Sequence, residues 1–367
     1  MKQNPVKIVV TGGHATPALA TIDVLKKSGI KIYWFGEKEA FEGQSAKTLE
    51  YQFVPNLGIP FFPIMGTKFH KKDPIKTILN LWKIPASIVQ CISLFSKIKP
   101  DVLLSFGSYL AVPPSIAAYF LGIPIITHEQ TTVPGLANRI IARVAKKVAI
   151  TFPESSINFP KDKVVLTGNP MRNEFREQSV KKVKGTPVIF ITGGSRGAHI
   201  INEAVVEILP ELLKLAKVCH QTGNVDYPGI LKKKASLHPK IKGRYEIAAN
   251  FAPLEFATKL GKSSLVISRA GANTVLEIAS LGIPAILIPI SWSGGGEQAK
   301  NAQSLEKTSL AIVLPEESLT GESLLSKVQM ALGSLPKMRK NAQSAKKLAN
   351  PNASENLAKL VLEVASR

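Results

Sequence analysis

The chain has 367 residues, 45% of them hydrophobic and 20% charged, enough apolar content for two globular cores and too much for a disordered or fibrous protein. Lysine and arginine total 47 against 26 acids, a net charge of +21, which favours phosphate-bearing partners such as nucleotides, anionic headgroups or nucleic acid. Two cysteines, Cys91 and Cys219, both in apolar surroundings, exclude a disulfide framework or cysteine-rich metal site and fit a reducing compartment.

Met1-Lys2-Gln3-Asn4-Pro5 leads directly into Val6–Val10, so an opening strand is expected and no secretory signal. Short apolar runs at 30–35, 102–106, 124–127, 148–151, 164–166, 188–191, 216–219, 265–267 and 285–290 alternate with windows of helical periodicity. That alternation predicts an α/β protein of doubly wound parallel sheets with helices on both faces. Val102 to Thr127 carries no charge, yet Gly107, Pro113, Pro114, Gly122 and Pro124 interrupt it. It reads as strand 102–106, helix 113–121 and strand 124–127, not as a membrane span. Ala118–Ile126 echoes Ala279–Leu287: in each a helix ends at Leu-Gly, and Ile-Pro opens a strand. Two similar halves are expected, with a boundary near Gly168-Asn169-Pro170. They are an N-terminal domain 1–168 and a C-terminal domain 169–349, the terminal stretch 350–367 packing back on the first.

Ligands of such sheets bind beyond the carboxyl ends of the strands. Gly193-Gly194-Ser195-Arg196-Gly197-Ala198 follows Val188–Ile191 directly and opens a helical window at Ile200. Ser268-Arg269-Ala270-Gly271-Ala272 repeats the arrangement after Leu265–Ile267 and adds an acid, Glu277, one or two helical turns in. Strand, glycine turn and helix start bring backbone N–H groups and a helix dipole to a phosphate. Two such turns with a nearby acid fit a sugar nucleotide: phosphates at the helix ends, ribose hydroxyls on the carboxylate. Taken singly, each turn is also an ordinary tight connection, and Glu277 an ordinary solvated acid. No Asp-x-Asp pair is present to hold a divalent ion, so neither a metal nor another cofactor is expected.

Seven motifs occur in one order along almost the whole chain. They are Thr11-Gly12-Gly13-His14-Ala15-Thr16-Pro17-Ala18-Leu19-Ala20, His128-Glu129-Gln130, Gly168-Asn169-Pro170-Met171-Arg172, Gly193–Ala198, His220-Gln221-Thr222-Gly223, Arg269–Glu277 and Glu297-Gln298-Ala299-Lys300-Asn301-Ala302. The set resembles the MurG family of peptidoglycan N-acetylglucosaminyltransferases. The resemblance implies a GT-B fold, two Rossmann-like domains facing across a cleft. It also implies inverting transfer of GlcNAc from UDP-GlcNAc to undecaprenyl-diphosphate-linked lipid I, giving lipid II for the cell wall, by a peripheral enzyme on the cytoplasmic face of the cell membrane. For the donor it implies Gly12, Gly13, Gly194, Ser195, Gly271 and Ala272 at the phosphates or sugar, with Arg172 on the nucleotide side. It further implies Glu277 on the ribose, Gln298 on the GlcNAc hydroxyls, and the backbone near Phe251 at the uracil with its ring as a cap.

Thr11, His14, His128 and Asn138 are the expected acceptor-side residues. His14 follows the first strand and its glycine turn; a neutral imidazole there suits a general base, a turn cap or a hydrogen bond to the donor. His128 and Glu129 are expected just after strand 124–127, Glu129 as a second catalytic candidate, and Asn138 on the following helix. Departures from the family pattern are visible. Val9 and Val10 precede Thr11 where the loop usually reads Gly-Gly-Thr-Gly-Gly-His, Arg196 replaces Gln, Thr131 replaces Asn, and Gly296-Glu297-Gln298 replaces Arg-Gln-Gln.

From Lys68 to Lys99, seven lysines including Lys72, Lys76 and Lys83 oppose only Asp73, with Ile75, Leu79 and Trp82 among the apolar residues between them. This suits docking on an anionic inner-membrane surface; the same pattern also describes a core helix with a solvated lysine face. Three other readings share the architecture: a UDP-GlcNAc epimerase, a GT-B transferase acting on another glycolipid, and a non-catalytic sugar-nucleotide binder. Nucleic-acid binding ranks last, since no recognition module is present and only 7% of residues are aromatic.

Overall fold

The computed structural model describes residues 5–39, 48–66, 82–176, 185–194, 197–292 and 294–366. Its strands are β1 (Lys7–Thr11), β2 (Lys31–Gly36), β3 (Phe61–Pro63), β4 (Val102–Ser105), β5 (Ile125–Glu129), β6 (Lys147–Ile150), β7 (Val164–Leu166), β8 (Val188–Thr192), β9 (Lys217–Gln221), β10 (Tyr245–Ala248), β11 (Leu265–Ser268), β12 (Ala285–Leu287) and β13 (Ala311–Val313). The longer helices are α1 (Ala15–Lys27), α2 (Lys83–Ile98), α3 (Val112–Phe120), α4 (Leu136–Val144), α5 (His199–Glu207), α6 (Tyr227–Ala235), α7 (Pro253–Gly261), α8 (Ala272–Leu281), α9 (Glu297–Glu306), α10 (Gly321–Lys340) and α11 (Ala353–Ala365).

The chain divides into two compact units: Met1–Arg172 with Asn352–Arg367, and Asn173–Pro351. Unit 1 holds a parallel sheet in the order β3-β2-β1-β4-β5-β6-β7. Side chains alternate across it with period two. Ile8, Val10, Val102 and Leu104 enter a core completed by Ile22 of α1 and Leu357 and Val361 of α11. Val9 and Leu103 face Cys91 and Phe95 of α2, Ala117 of α3 and Ile141 of α4. A sheet buried on both faces needs the continuous apolar runs seen in the sequence.

Unit 2 holds a parallel sheet ordered β10-β9-β8-β11-β12-β13. Its core joins Ile189 and Ile191 of β8 to Ile201 and Val205 of α5 and to Leu324 and Val328 of α10. Both sheets start in the middle and reverse direction once, between β1 and β4 and between β8 and β11, which is the Rossmann order. The two echoed helix–Gly–Ile–Pro segments lead into β5 and β12, equivalent positions in the two sheets. The doubly wound architecture expected from the sequence is therefore present twice.

Three strands had no forewarning: β3, β10 and β13. All three lie at sheet edges. Two are only three residues long, β3 ends in Pro63, and β10 carries the exposed Glu246. Short, polar or proline-bearing edges protect a sheet from further pairing, and the same traits remove the apolar run that would announce a strand. The run 285–290 shortens to β12 because Pro289 has no N–H to donate.

Candidate functional site

In unit 2 the strand register collects the chemistry. Thr192, the last residue of β8, pairs with Ser268 of β11 on one side and with Gln221 of β9 on the other. Both glycine turns therefore leave the sheet side by side at its switch point. The first is held closed by its own backbone: a Cβ on Gly193 would lie 2.2 Å from the Ala198 nitrogen. Gly197, at φ +78°, passes so near β9 that its Cβ would stand 2.4 Å from the Thr222 carbonyl. The Gly194 N–H donates to Thr192 Oγ1 at 3.0 Å. Helices α5 and α8 start beyond these turns with Ala198 and Gly271 as N-cap residues, neither of which has a side-chain acceptor. Their first-turn N–H groups thus keep the positive end of each dipole for a ligand.

Behind the turn lies a buried relay. Asn202 Nδ2 donates to the Thr222 carbonyl (2.8 Å) and to Asp226 Oδ2 (2.6 Å). Its Oδ1 accepts from His220 Nε2 at 2.9 Å, and His220 Nδ1 accepts the Tyr245 hydroxyl at 2.9 Å. Burial lowers the His220 pKa to about 3, which keeps the ring neutral and this tautomer fixed. The second turn is braced from α9, where buried Asn301 donates to the Ala270 carbonyl at 3.2 Å. Arg269 is occupied structurally, by an ion pair with Glu316 and a 3.2 Å bond to the Ile288 carbonyl.

Glu277 is buried, 4% exposed, six residues into α8, which removes the reading of it as a solvated acid. Gln298 is the second residue of α9, and its Oε1 accepts the Ile290 N–H at 3.1 Å, so the side chain is oriented. Phe251 follows β10; its ring leans on Phe190 at 6.2 Å with Lys259 Nζ 5.0 Å above, and its N–H is donated to Gln221 Oε1. Ser195 and Arg196 lie outside the described residues.

In unit 1 the corresponding switch point gathers the expected acceptor residues. Thr11 closes β1, with its hydroxyl buried and unpartnered among the described residues. Gly12 presses on the buried Trp34 ring, where a Cβ would lie 2.4 Å from Cζ2; a Cβ on Gly13 would meet Ser108 Cβ at 2.3 Å. This packing gives both glycines a reason within their own unit. Arg172, half-buried, ends this unit's first segment.

His128 and Glu129 are not beyond the strand, as expected, but are the buried last residues of β5. The polar pair of a strand end continues the ladder here because Thr151 N–H reaches the Glu129 carbonyl at 3.0 Å. His128 Nε2 donates to the Gly168 carbonyl at 3.0 Å, leaving Nδ1 as a buried acceptor with no partner among the described residues. Burial, and the nearby His14, lower its pKa to about 4. His14 itself is exposed at its surface, yet desolvation by the protein around it lowers its pKa to about 4.

Asn138 lies on α4, the helix after β5, and is buried, with its amide hydrogen-bonded within the unit. Nδ2 donates to Glu129 Oε2 (2.9 Å) and the His128 carbonyl (3.2 Å), and Oδ1 accepts Thr127 Oγ1 at 2.9 Å. Glu129 Oε1 accepts both the N–H and the hydroxyl of Thr131, at 2.9 and 2.7 Å. Burial raises the Glu129 pKa, and these bonds oppose the rise.

Sequence reasoning missed Ser108, which stands at φ +71°, ψ 158°, a region almost reserved for glycine. It also assigned nothing to the side chains of Gln221 and Asn202, although Gln221 lies within a quoted motif. Of the surface residues, Trp82 is 62% exposed at the start of α2 and Lys83 follows it. Ile75, Leu79, Lys72 and Lys76 lie outside the described residues. Among the described residues no helix is long and apolar enough to cross a membrane.

Two Rossmann-type sheets with nucleotide-type turns fit the sugar-nucleotide readings set out above, and comparison with known proteins narrows them. Residues 8–150 match the glycosyltransferase family 28 N-terminal domain, and residues 188–360 match the family 28 C-terminal domain. The chain belongs to glycosyltransferase family 28.

Its relatives include the UDP-N-acetylglucosamine–N-acetylmuramyl-(pentapeptide) pyrophosphoryl-undecaprenol N-acetylglucosamine transferase of an Exiguobacterium species, 35% identical over 96% of this chain and 97% of that protein. The enzyme of the same name from Listeria monocytogenes is 35% identical over 96% and 97%. Among solved structures, Acinetobacter baumannii MurG aligns at a TM-score of 0.74 and 26% identity, covering 98% of this chain and 100% of that one. A UDP-GlcNAc 2-epimerase from Neisseria meningitidis, bound to UDP-GlcNAc, aligns at 0.66 with 16% identity over 98% and 100%, a likeness of fold alone.

Proposed function

We infer that this chain transfers N-acetylglucosamine from UDP-GlcNAc to the muramyl sugar of undecaprenyl-diphosphate-linked lipid I, forming lipid II. The observation that carries this is the 35% identity to transferases of that name, running over 96% of the chain and hence through both units. The geometry supports an assignment of roles. In unit 2 we assign the diphosphate to the N–H groups at the starts of α5 and α8, including Gly271 and Ala272, beside the turn that carries Gly194. Ser195 joins them by its place in the motif. Glu277 takes the ribose hydroxyls, Gln298 the sugar, and Phe251 the base, with Arg172 on the nucleotide side.

Glycosyl transfer places growing negative charge on the departing diphosphate. Fixed N–H dipoles aimed at that charge stabilise the transition state more than the ground state. They need no divalent ion, and we assign none. In unit 1 His14 is the proton acceptor. Desolvation lowers its pKa to about 4, which favours the neutral ring that a proton acceptor needs. Thr11 Oγ1 and His128 Nδ1 are buried acceptors without partners among the described residues; both suit the acceptor's hydroxyl or amide groups. Glu129 orders the strand end beside them.

The membrane surface belongs to unit 1. Helices of a doubly wound sheet begin at the carboxyl ends of the strands, so the exposed Trp82 of α2 and Leu136 of α4 (73% exposed) stand on the same end as these acceptor residues. Exposed Arg139 on α4 adds charge to that apolar edge. We assign docking on an anionic bilayer at the cytoplasmic face to this edge, with Lys72, Lys76, Ile75 and Leu79 contributing from the preceding sequence, and no nucleic-acid partner.

The test is release of UDP from UDP-GlcNAc in the presence of a lipid I analogue, with the disaccharide product identified by mass. A folded sample that binds UDP yet yields no disaccharide, or converts UDP-GlcNAc alone to its epimer, overturns the reading.

A further inference from the structure

Gln221 closes β9, is 4% exposed, and uses both ends of its amide. Nε2 donates to the Gly194 carbonyl at 3.2 Å and to Thr192 Oγ1 at 3.3 Å, while Oε1 accepts the Phe251 N–H at 3.1 Å. Its partners belong to two loops far apart in the chain. One is the Gly193–Ala198 turn off β8; the other is the segment between β10 and α7. β9 lies between β8 and β10 in the sheet, so a residue at its end is the shortest link between them. Thr192 Oγ1 also accepts the Gly194 N–H, which ties the strand end, Gly194 and the amide into one hydrogen-bonded group.

A donor held at both ends requires those two loops at a fixed spacing before it arrives. Setting the spacing in advance removes an ordering cost from binding. The amide is suited to this because it offers a donor on one side and an acceptor on the other without a charge near the diphosphate. We propose that Gln221 is a positioning residue that couples the phosphate-facing turn to the base-facing loop, so that a nucleoside diphosphate binds more tightly than its separate halves would. This rests on the reading of unit 2 as the donor-binding unit. Gln221 touches neither phosphate nor base; it acts through Gly194 and Phe251.

Two variants separate the ends. Gln221→Glu keeps an acceptor for the Phe251 N–H but loses both donor bonds to the turn, whereas Gln221→Ala loses all of them. Calorimetry with uridine and with UDP gives the readout. Each lost hydrogen bond of this kind weakens binding by about three- to tenfold. Gln221→Glu should hold uridine within about twofold of wild type while UDP weakens by about tenfold. Gln221→Ala should weaken both. At saturating acceptor the donor KM should rise and kcat stay within about threefold, because the group acts before the chemical step.

A third measurement needs no variant. In the wild type, inorganic pyrophosphate alone should slow hydrogen exchange at the Phe251 N–H, since it tightens the loop on the far side of Gln221. An unchanged ratio of UDP to uridine affinity in both variants, an equal loss of both ligands in Gln221→Glu, or no effect of pyrophosphate on Phe251 exchange would overturn the coupling while leaving the donor site standing. A wild-type protein that does not bind UDP takes down the donor site and the coupling together.

Discussion

Two glycines of one turn should respond very differently to the same substitution. Gly194 and Gly197 both have positive φ, +83° and +78°, so alanine at either incurs the left-handed penalty of roughly 1–2 kcal/mol. A Cβ on Gly194 meets no described atom within 4 Å, whereas one on Gly197 lies 2.4 Å from the Thr222 carbonyl. That carbonyl cannot retreat freely, because Asn202 Nδ2 holds it at 2.8 Å and Asn202 is itself fixed by buried His220. Forcing the contact apart adds about 1–3 kcal/mol, as overpacking does elsewhere. Gly197→Ala should therefore cost about 2–5 kcal/mol and Gly194→Ala about 1–2 kcal/mol. In a unit of this size each kcal/mol moves the melting point by about 2–4 °C, so Gly197→Ala should lower the melting of unit 2 by roughly 4–20 °C. Differential scanning calorimetry with and without UDP reads both the loss and the ligand's protection. Equal melting points for the two variants would refute the close approach of the turn to β9.

Further outcomes are expected elsewhere. Burial raises the Glu129 pKa in the folded chain, so the stability linked to this group is complete below the unfolded value and is lost as pH rises through the folded one. Asn138→Ala, which removes a bond to the carboxylate, should cost about 1–3 kcal/mol more at pH 7.5 than at pH 4 in urea titrations; a pH-independent cost would count against the buried carboxylate. Ser108→Gly should raise stability by about 1–3 kcal/mol by releasing its φ of +71°, and a lower melting point would remove the strain assignment. Chelation with EDTA should leave the transfer rate unchanged, while a loss restored by magnesium would place a cation at the diphosphate. Trp82→Glu should weaken sedimentation with anionic vesicles and spare transfer to a short-chain soluble acceptor; undiminished vesicle binding would move the membrane face away from α2.

Strand reading from the sequence succeeded wherever a strand is buried on both faces, since Val102–Ser105 or Leu265–Ser268 can only be continuous apolar runs there. It failed at β3, β10 and β13 for the converse reason: an edge strand has one ladder and a solvent side, and tolerates Pro63 or Glu246. The two glycine turns of unit 2 were legible because their geometry resides in the backbone. Gly193 and Gly197 act by what they lack, and a strand–glycine–helix junction is contiguous in sequence.

The residues expected on the acceptor side obey a different logic. Their polar groups are defined by partners elsewhere in unit 1: His128 by the Gly168 carbonyl and Glu129 by Asn138. No local pattern tells a strand-end Glu whether its carboxylate will meet solvent or an amide nine residues later. Gln221 shows the same limit within the donor unit. The motif His220-Gln221-Thr222-Gly223 can be read as a strand running into a glycine, but its amide acquires meaning only when β8 and β10 are known to flank β9. Backbone turns contiguous in the chain can thus be found from one sequence. Residues that set the spacing between two loops emerge only from the sheet order, and such residues are where substitutions should alter affinity while leaving the contacts themselves intact.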